Sequence, residues 1–303
     1  MTTRLSRATA ALAASVLTAG FMGLASAPAL AYDSGSLKAK YTELQAELQD
    51  PNNTFRQPVH VDSSQSGDNL SGEVYAVVPH AFKDFEAAMK DPSDWCDILI
   101  LPFNTKYCHA APGANGAQVL QVRIGRKSDQ PVDEAYRIDF ALQPVAASAQ
   151  YFESRLTAPT GPVGTRDYRI AVSAVPLEGN KTFMHLSYSY GYGATGRFAM
   201  GAYLSTVGAS KVGFTVTGKD ANGQPVYIGG VRGAIERNVM RYYLAINAHL
   251  ASMSAAPAQR LEKRIQTWFD STERYPRQLR EMDRSAYVAM KRTEAERQLT
   301  ALQ

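Results

Sequence analysis

The chain has 303 residues, 45% of them hydrophobic and 20% charged, and carries a formal net charge of +4. That length is enough for one large domain with a substantial core. The small charge excess gives no reason to expect nucleic acid, and beyond the first 31 residues no run is long and apolar enough to cross a bilayer.

Arg4 and Arg7 precede a small and apolar stretch, Ala8 to Leu24, and Ala29-Leu30-Ala31 follows. This is the pattern of a secretory signal cleaved after Ala31. Ser15, Thr18 and Gly20 interrupt the stretch, which weighs against the alternative of a membrane anchor. The arginines are not adjacent, as the twin-arginine route would require. Removal of residues 1–31 leaves 272, with 30 basic against 28 acidic side chains, in a periplasmic or secreted setting. There the two cysteines, Cys96 and Cys108, pair by default, and closing so short a loop is worth about 3 kcal/mol in the chain-entropy model. Two buried thiols are the alternative. His109 beside them does not complete a closed zinc site, so no metal is expected.

Leu37, Tyr41, Leu44 and Leu48 have helical spacing, and Pro51 with Asn52 and Asn53 ends the run, giving an N-terminal helical segment over 32–58. Val59 to Asp62 and Gly72 to Val78 read as strands, the second stopped by Pro79. His80 to Met89 reads as a helix with Phe82, Phe85 and Met89 on one face. Trp95 to Tyr107 is ambiguous between a short strand at Ile98 to Leu101 and a buried helical turn. Clean period-two patterns come next: Leu120, Val122 and Ile124; Tyr136, Ile138, Phe140 and Leu142; Tyr168, Ile170 and Val172. One face is apolar throughout, as in an antiparallel sheet, whereas parallel strands read as continuous apolar runs. Thr182 to Tyr190 is the next strand, with both faces partly apolar. Ala199 to Val207 reads as a short helix and Val212 to Thr217 as a strand. The helix from Gly233 to Leu250 then aligns Ile235, Val239, Tyr242 and Ile246, with Glu236, Arg241 and Asn247 away from that stripe. Beyond Pro257 the chain turns charged, with Leu261, Ile265, Trp268 and Phe269 in one helical pattern and Tyr287 and Met290 in another. Residues 257–303 therefore read as a helical appendage to a domain at 59–252, with a partner-binding arm as the functional alternative.

A row of alternating strands closed by one long amphipathic helix predicts an α+β fold in which a curved antiparallel sheet wraps around that helix. Such an interior can hold an apolar ligand. Gly191-Tyr-Gly193-Ala-Thr-Gly196 matches a dinucleotide fingerprint, with Asp220 as the acid. It stands alone after antiparallel strands, so a flexible connection is the preferred reading and no cofactor is expected. Arg137 with Asp139, Glu153 with Arg155, and Arg169 lie on polar strand faces, where ion pairing is the ordinary account. His185 with a neighbouring serine does not make a catalytic triad, and no catalytic residue is assigned. The tyrosines at 188, 190, 192, 203, 242 and 243 suit core packing or an amphipathic cavity wall.

The Gly72-Glu-Val-Tyr-Ala strand, the Arg237-Asn-Val-Met-Arg-Tyr-Tyr helix and the segment order between them resemble the helix-grip fold of the START and polyketide-cyclase-like superfamily, over about Val59 to Leu250. The resemblance implies a lipid, sterol or other apolar small molecule held between sheet and helix. The expected ligand-facing set is Tyr136, Phe140, Arg169, His185, Tyr188, Tyr190, Val239, Tyr242 and Ile246. An exported binding or shuttling protein for an apolar or amphipathic ligand is the leading expectation. A cyclase- or hydrolase-type enzyme with a polar cavity is the second, and an envelope interaction module using 257–303 the third.

Overall fold

The computed structural model describes residues 33–206 and 208–299, without the side chains of Asn115 and Tyr203. The expected leader at 1–31, its cleavage point and the Tyr203 side chain lie outside the described residues. Helix α1 (Ser34–Gln49) starts at Asp33, whose carboxylate accepts from the Ser36 amide at 2.7 Å while the Ser36 hydroxyl caps the Asp33 amide at 2.9 Å. This reciprocal cap satisfies two otherwise orphaned donors. Strands β1 (Val59–Ser66) and β2 (Asn69–Val78) form a hairpin, followed by α2 (Phe82–Lys90) and α3 (Pro92–Leu99). Next come β3 (Thr105–Pro112), β4 (Gln118–Ile124), β5 (Tyr136–Ser148), β6 (Tyr151–Thr160), β7 (Thr165–Leu177) and β8 (Lys181–Tyr192).

All eight strands form one antiparallel sheet in the order β1-β2-β8-β7-β6-β5-β4-β3. Strand β2 lies against β8, so the last long strand returns to the start of the domain and the sheet is curved. Bulges between Pro144 and Ala146 and between Arg166 and Arg169 help the bend. After β8 come α4 (Ala194–Ser205), a small hairpin of β9 (Val216–Lys219) and β10 (Pro225–Tyr227), and α5 (Gly230–Ser252). Helix α5 runs along the inner face of the sheet, close enough at Gly72 that a Cβ there would stand 3.1 Å from the Ile235 side chain and 3.2 Å from the Ile235 carbonyl oxygen. Glycine permits this approach. The α+β helix-grip arrangement is thus present: a curved antiparallel sheet around a long helix.

Several local expectations change. The ambiguous Ile98 to Leu101 segment belongs to α3 and its end, and Cys96 of α3 is joined to Cys108 of β3 by a disulfide, with Cα atoms 5.2 Å apart. The expected strand Val212 to Thr217 is mostly loop, because Phe214 and Thr215 turn their amides onto Glu236 at 2.6 and 2.9 Å. Glu236 and Arg241, which lie away from the apolar stripe of α5, are nevertheless buried. Glu236 also accepts from the hydroxyls of Ser63 at 2.6 Å and Thr215 at 2.8 Å, and the far side of α5 is covered by α6 (Pro257–Glu273). The Gly191–Gly196 motif sits where β8 leaves an antiparallel sheet, not in a parallel βαβ unit, in line with its reading as a connection and not a dinucleotide fingerprint.

Beyond α6, α7 (Pro276–Leu279) and α8 (Arg284–Gln298) complete the chain's described part. Their apolar faces join the same core: Trp268 lies 5.1 Å from Tyr287, and Phe103 lies 4.9 Å from Trp268. The Tyr287 hydroxyl donates to the Leu101 carbonyl at 3.0 Å. Lys106 and Lys291, both buried, donate to Glu294 at 2.9 and 2.7 Å. Burial holds the Lys291 ammonium pKa below its ordinary value despite the Glu294 carboxylate. A second apolar cluster lies on the outer face of the sheet, where Leu37, Leu44 and Leu48 of α1 cover Tyr75, Val175 and Phe183. That cover explains why both faces of β8 read as apolar.

Candidate functional site

Between the sheet and the first half of α5 lies a cavity of about 300 Å³. Strand alternation builds its floor: Val122 and Ile124 from β4, Ile138 and Phe140 from β5, Tyr168 from β7, and Tyr188 and Tyr190 from β8 point to the same side. Helix α5 supplies Asn238 and Tyr242, one helical turn apart, as the roof. Gly196, Ala199 and Met200 of α4, with Pro162 and Val163, form the rim.

Four tyrosines dominate the wall. Tyr168 and Tyr190 stack at 5.3 Å and 15°, and Tyr188 meets Tyr242 edge-on at 5.3 Å and 71°. Such offset and edge-to-face pairs are favourable geometries for aromatic rings. The Tyr168 hydroxyl donates to the Thr165 hydroxyl at 2.9 Å. The hydroxyls of Tyr188, Tyr190 and Tyr242 make no hydrogen bond to another described residue. Burial pushes all four phenols above their ordinary pKa, and the neighbouring tyrosines add to this at 188, 190 and 242. Each is therefore a neutral donor and acceptor across the physiological range. Among the described residues lining the cavity there is no carboxylate, imidazole, amine or guanidinium. The wall offers apolar area, ring faces and neutral hydroxyls.

The expected ligand-facing residues separate into three groups. Phe140, Tyr188, Tyr190 and Tyr242 line the cavity. Val239 and Ile246 are buried in the core contacts of α5 outside the lining, since they lie on the part of the helix packed tightly against its neighbours. Tyr136 shares the inner face with Phe140 but stands at the open start of β5, 56% exposed. Arg169 and His185 are on the opposite face, because each is one residue out of phase with Tyr168 and Tyr188. Arg169 is exposed. His185 stacks on Tyr75 at 4.4 Å and contacts Glu73 at 3.2 Å, a hydrogen bond that is the main cause of the lowered Glu73 pKa, against the opposing effect of burial. Arg137 with Asp139 and Arg155 with Glu153 are ion pairs along single strands, at 2.8 and 2.6 Å.

The sequence reading missed Asn238, Thr165 and the α4 residues of the rim. Only the i, i+4 spacing of Asn238 and Tyr242 signalled any of them. A wider groove of about 900 Å³ lies between α1, the end of the sheet and the second half of α5, where Tyr41, Val77 and Tyr243 sit among Asp50, Arg56, Glu178, Lys181 and Arg274.

No family model matches the chain, and no curated protein matches it. Solved structures do. A protein from Thermus thermophilus is 11% identical, with a TM-score of 0.40 over 61% of this chain and 99% of its own. The Zhui aromatase/cyclase from a Streptomyces species is 12% identical, with a TM-score of 0.31 over 80% of this chain and 98% of its own. Norcoclaurine synthase from Thalictrum flavum, solved with dopamine and hydroxybenzaldehyde, is 14% identical, with a TM-score of 0.29 over 49% of this chain and 86% of its own. Likeness at this level says nothing of activity. The class defined by the chain's own geometry is a helix-grip domain with a tyrosine-walled cavity. No helix among the described residues is long and apolar enough to span a membrane.

Proposed function

We propose that this chain is an exported binding protein for a small apolar or amphipathic molecule, a short lipid, fatty acid or ring compound, and that it belongs to the START and polyketide-cyclase-like superfamily. The observation that carries the binding reading is the set of hydroxyls at Tyr188, Tyr190 and Tyr242, without hydrogen-bond partners among the described residues, around a cavity lined mainly by rings and aliphatic groups. Apolar walls with a few convergent polar groups are what ligand sites use to combine affinity with orientation. The volume is at the small end of such cavities, about 300–1,000 Å³, which favours a short acyl chain or one or two rings over a full sterol. Burying about ten methylenes gains about 8 kcal/mol at about 0.8 each, against association costs of about 4–15 kcal/mol. The apolar term then leaves at most about 4 kcal/mol, a dissociation constant of about 1 mM, so tighter binding requires the hydroxyls to contribute, and release is easy, as a shuttle needs.

Native mass spectrometry of the purified protein, followed by titration with fatty acids and phenolic ring compounds, tests the reading. One ligand per chain is expected. Ala199→Trp at the cavity rim should abolish binding with the melting temperature kept. A protein that ignores the whole panel, or whose binding Ala199→Trp leaves unchanged, contradicts it.

A further inference from the structure

Apart from the residues that line the cavity, Asp94 and Asp97 lie three residues apart on one face of α3, beside His249 in the last turn of α5. One ligand atom from each of the three lies within 4.8 Å of the others. His249 is only 2% exposed, and neither of its ring nitrogens has a hydrogen-bond partner. Its Nε2 stands 3.5 Å from Asp94 Oδ1, too far for a good hydrogen bond. A buried imidazole without a partner is costly, and a natural protein rarely leaves one so.

We infer that Asp94, Asp97 and His249 form a binding site for a divalent transition-metal ion of the zinc type. Metal–ligand bonds of about 2.0–2.2 Å in tetrahedral geometry place neighbouring ligand atoms about 3.3–3.6 Å apart, so ligand atoms within 4.8 Å of one another close on an ion through side-chain shifts of about 1 Å. Two carboxylates and one imidazole suit zinc, manganese or iron(II) better than calcium, which takes six or more oxygens. Three protein ligands leave coordination positions open, and the Asp94 and Asp97 side chains, each 30% exposed, give access from solvent. Arg264 of α6 grips Oδ2 of Asp97. It orients that carboxylate and leaves its other oxygen available, the arrangement by which outer partners fix metal ligands. Two carboxylates against one guanidinium also leave a negative charge for the cation to balance. The disulfide at Cys96, between the two aspartates, fixes α3 in place.

The test is calorimetric titration of the full chain with zinc chloride, after treatment with a chelator and desalting. Among the described residues no cysteine is free to bind zinc in the background. One equivalent is expected, with affinity reduced at least about tenfold in Asp94→Asn and in His249→Gln, since even outer-shell changes cost about 10- to 100-fold. Cobalt(II) bound at the same stoichiometry should show visible absorption bands that both variants lose. Asp94→Asn alters a partly exposed side chain, so it carries the test if the His249 variant does not fold. Absence of saturable zinc binding, or zinc binding by a folded Asp94→Asn equal to that of the parent, overturns the inference.

Discussion

Replacing Tyr188 by phenylalanine separates a binding wall from a filled core. The ring keeps its neighbours, with Tyr242 at 5.3 Å, Tyr190 at 5.7 Å and Tyr168 at 6.2 Å, so only the hydroxyl is lost. That hydroxyl has no hydrogen bond to another described residue, and an enclosed hydroxyl without one costs about 1–3 kcal/mol. Because it borders a cavity, the lower part of that range applies. Tyr188→Phe should therefore leave stability unchanged or raise it by up to about 1 kcal/mol, a rise of about 2–4 °C in melting temperature for a chain of this size. Ligand binding should move the other way. A hydrogen bond from the hydroxyl to a bound polar group contributes about 0.5–1.5 kcal/mol, so the dissociation constant should rise about 2- to 13-fold. Tyr168→Phe is the internal contrast, since it deletes the bond to Thr165 and should lower stability by about 0.5–1.5 kcal/mol. Thermal melts by circular dichroism and a binding titration read both quantities. A Tyr188→Phe protein that melts several degrees lower and binds as before would refute the reasoning.

Glu236→Ala removes the acceptor of two backbone amides and two hydroxyls; urea unfolding should show a loss of at least about 3 kcal/mol, and a loss under about 1 kcal/mol would contradict the network. At high pH the unfolded chain ionises its tyrosines near 10 while burial keeps Tyr188, Tyr190 and Tyr242 neutral in the fold. Their contribution to stability is thus complete below pH 10 and declines as pH rises beyond it. Tyrosinate absorbance should show these groups titrating only with unfolding, against a reversible titration of all tyrosines near pH 10 with the fold intact. Reducing the Cys96–Cys108 bond should lower stability by about 3 kcal/mol by releasing a short loop; equal melting with and without reductant would show that the bond contributes nothing.

The strands β4, β5, β7 and β8 were legible because one face of each meets the core and the other meets water or α1, so alternation survives in the sequence. The stripe on α5 was legible for the same reason. Strand β3 was not: Thr105, Lys106, Tyr107 and Cys108 are buried in succession, so no alternation marks it. The charge of the buried Lys106 is met by Glu294 of α8, a partner 188 residues away. Glu236 and Arg241 likewise follow the polar pattern of an exposed face, yet α6 and the 212–215 loop cover them. In the cavity, the aromatic members Phe140, Tyr188, Tyr190 and Tyr242 followed from strand phase and helix stripe. Arg169 and His185 were included for their chemistry, and strand phase places them on the other face. The meeting of Asp94 and Asp97 with His249 depends on how α3 packs on α5, which no local pattern encodes.

The central claim is that an amphipathic molecule occupies the space between the β4–β8 wall and α5. The most direct measurement is the set of nuclear Overhauser contacts between a bound fatty acid and the assigned tyrosine rings. The account predicts contacts from acyl methylenes to Tyr188, Tyr190 and Tyr242. Saturable binding with contacts only to Tyr41, Val77 and Tyr243 of the outer groove, or no binding at all, would contradict it.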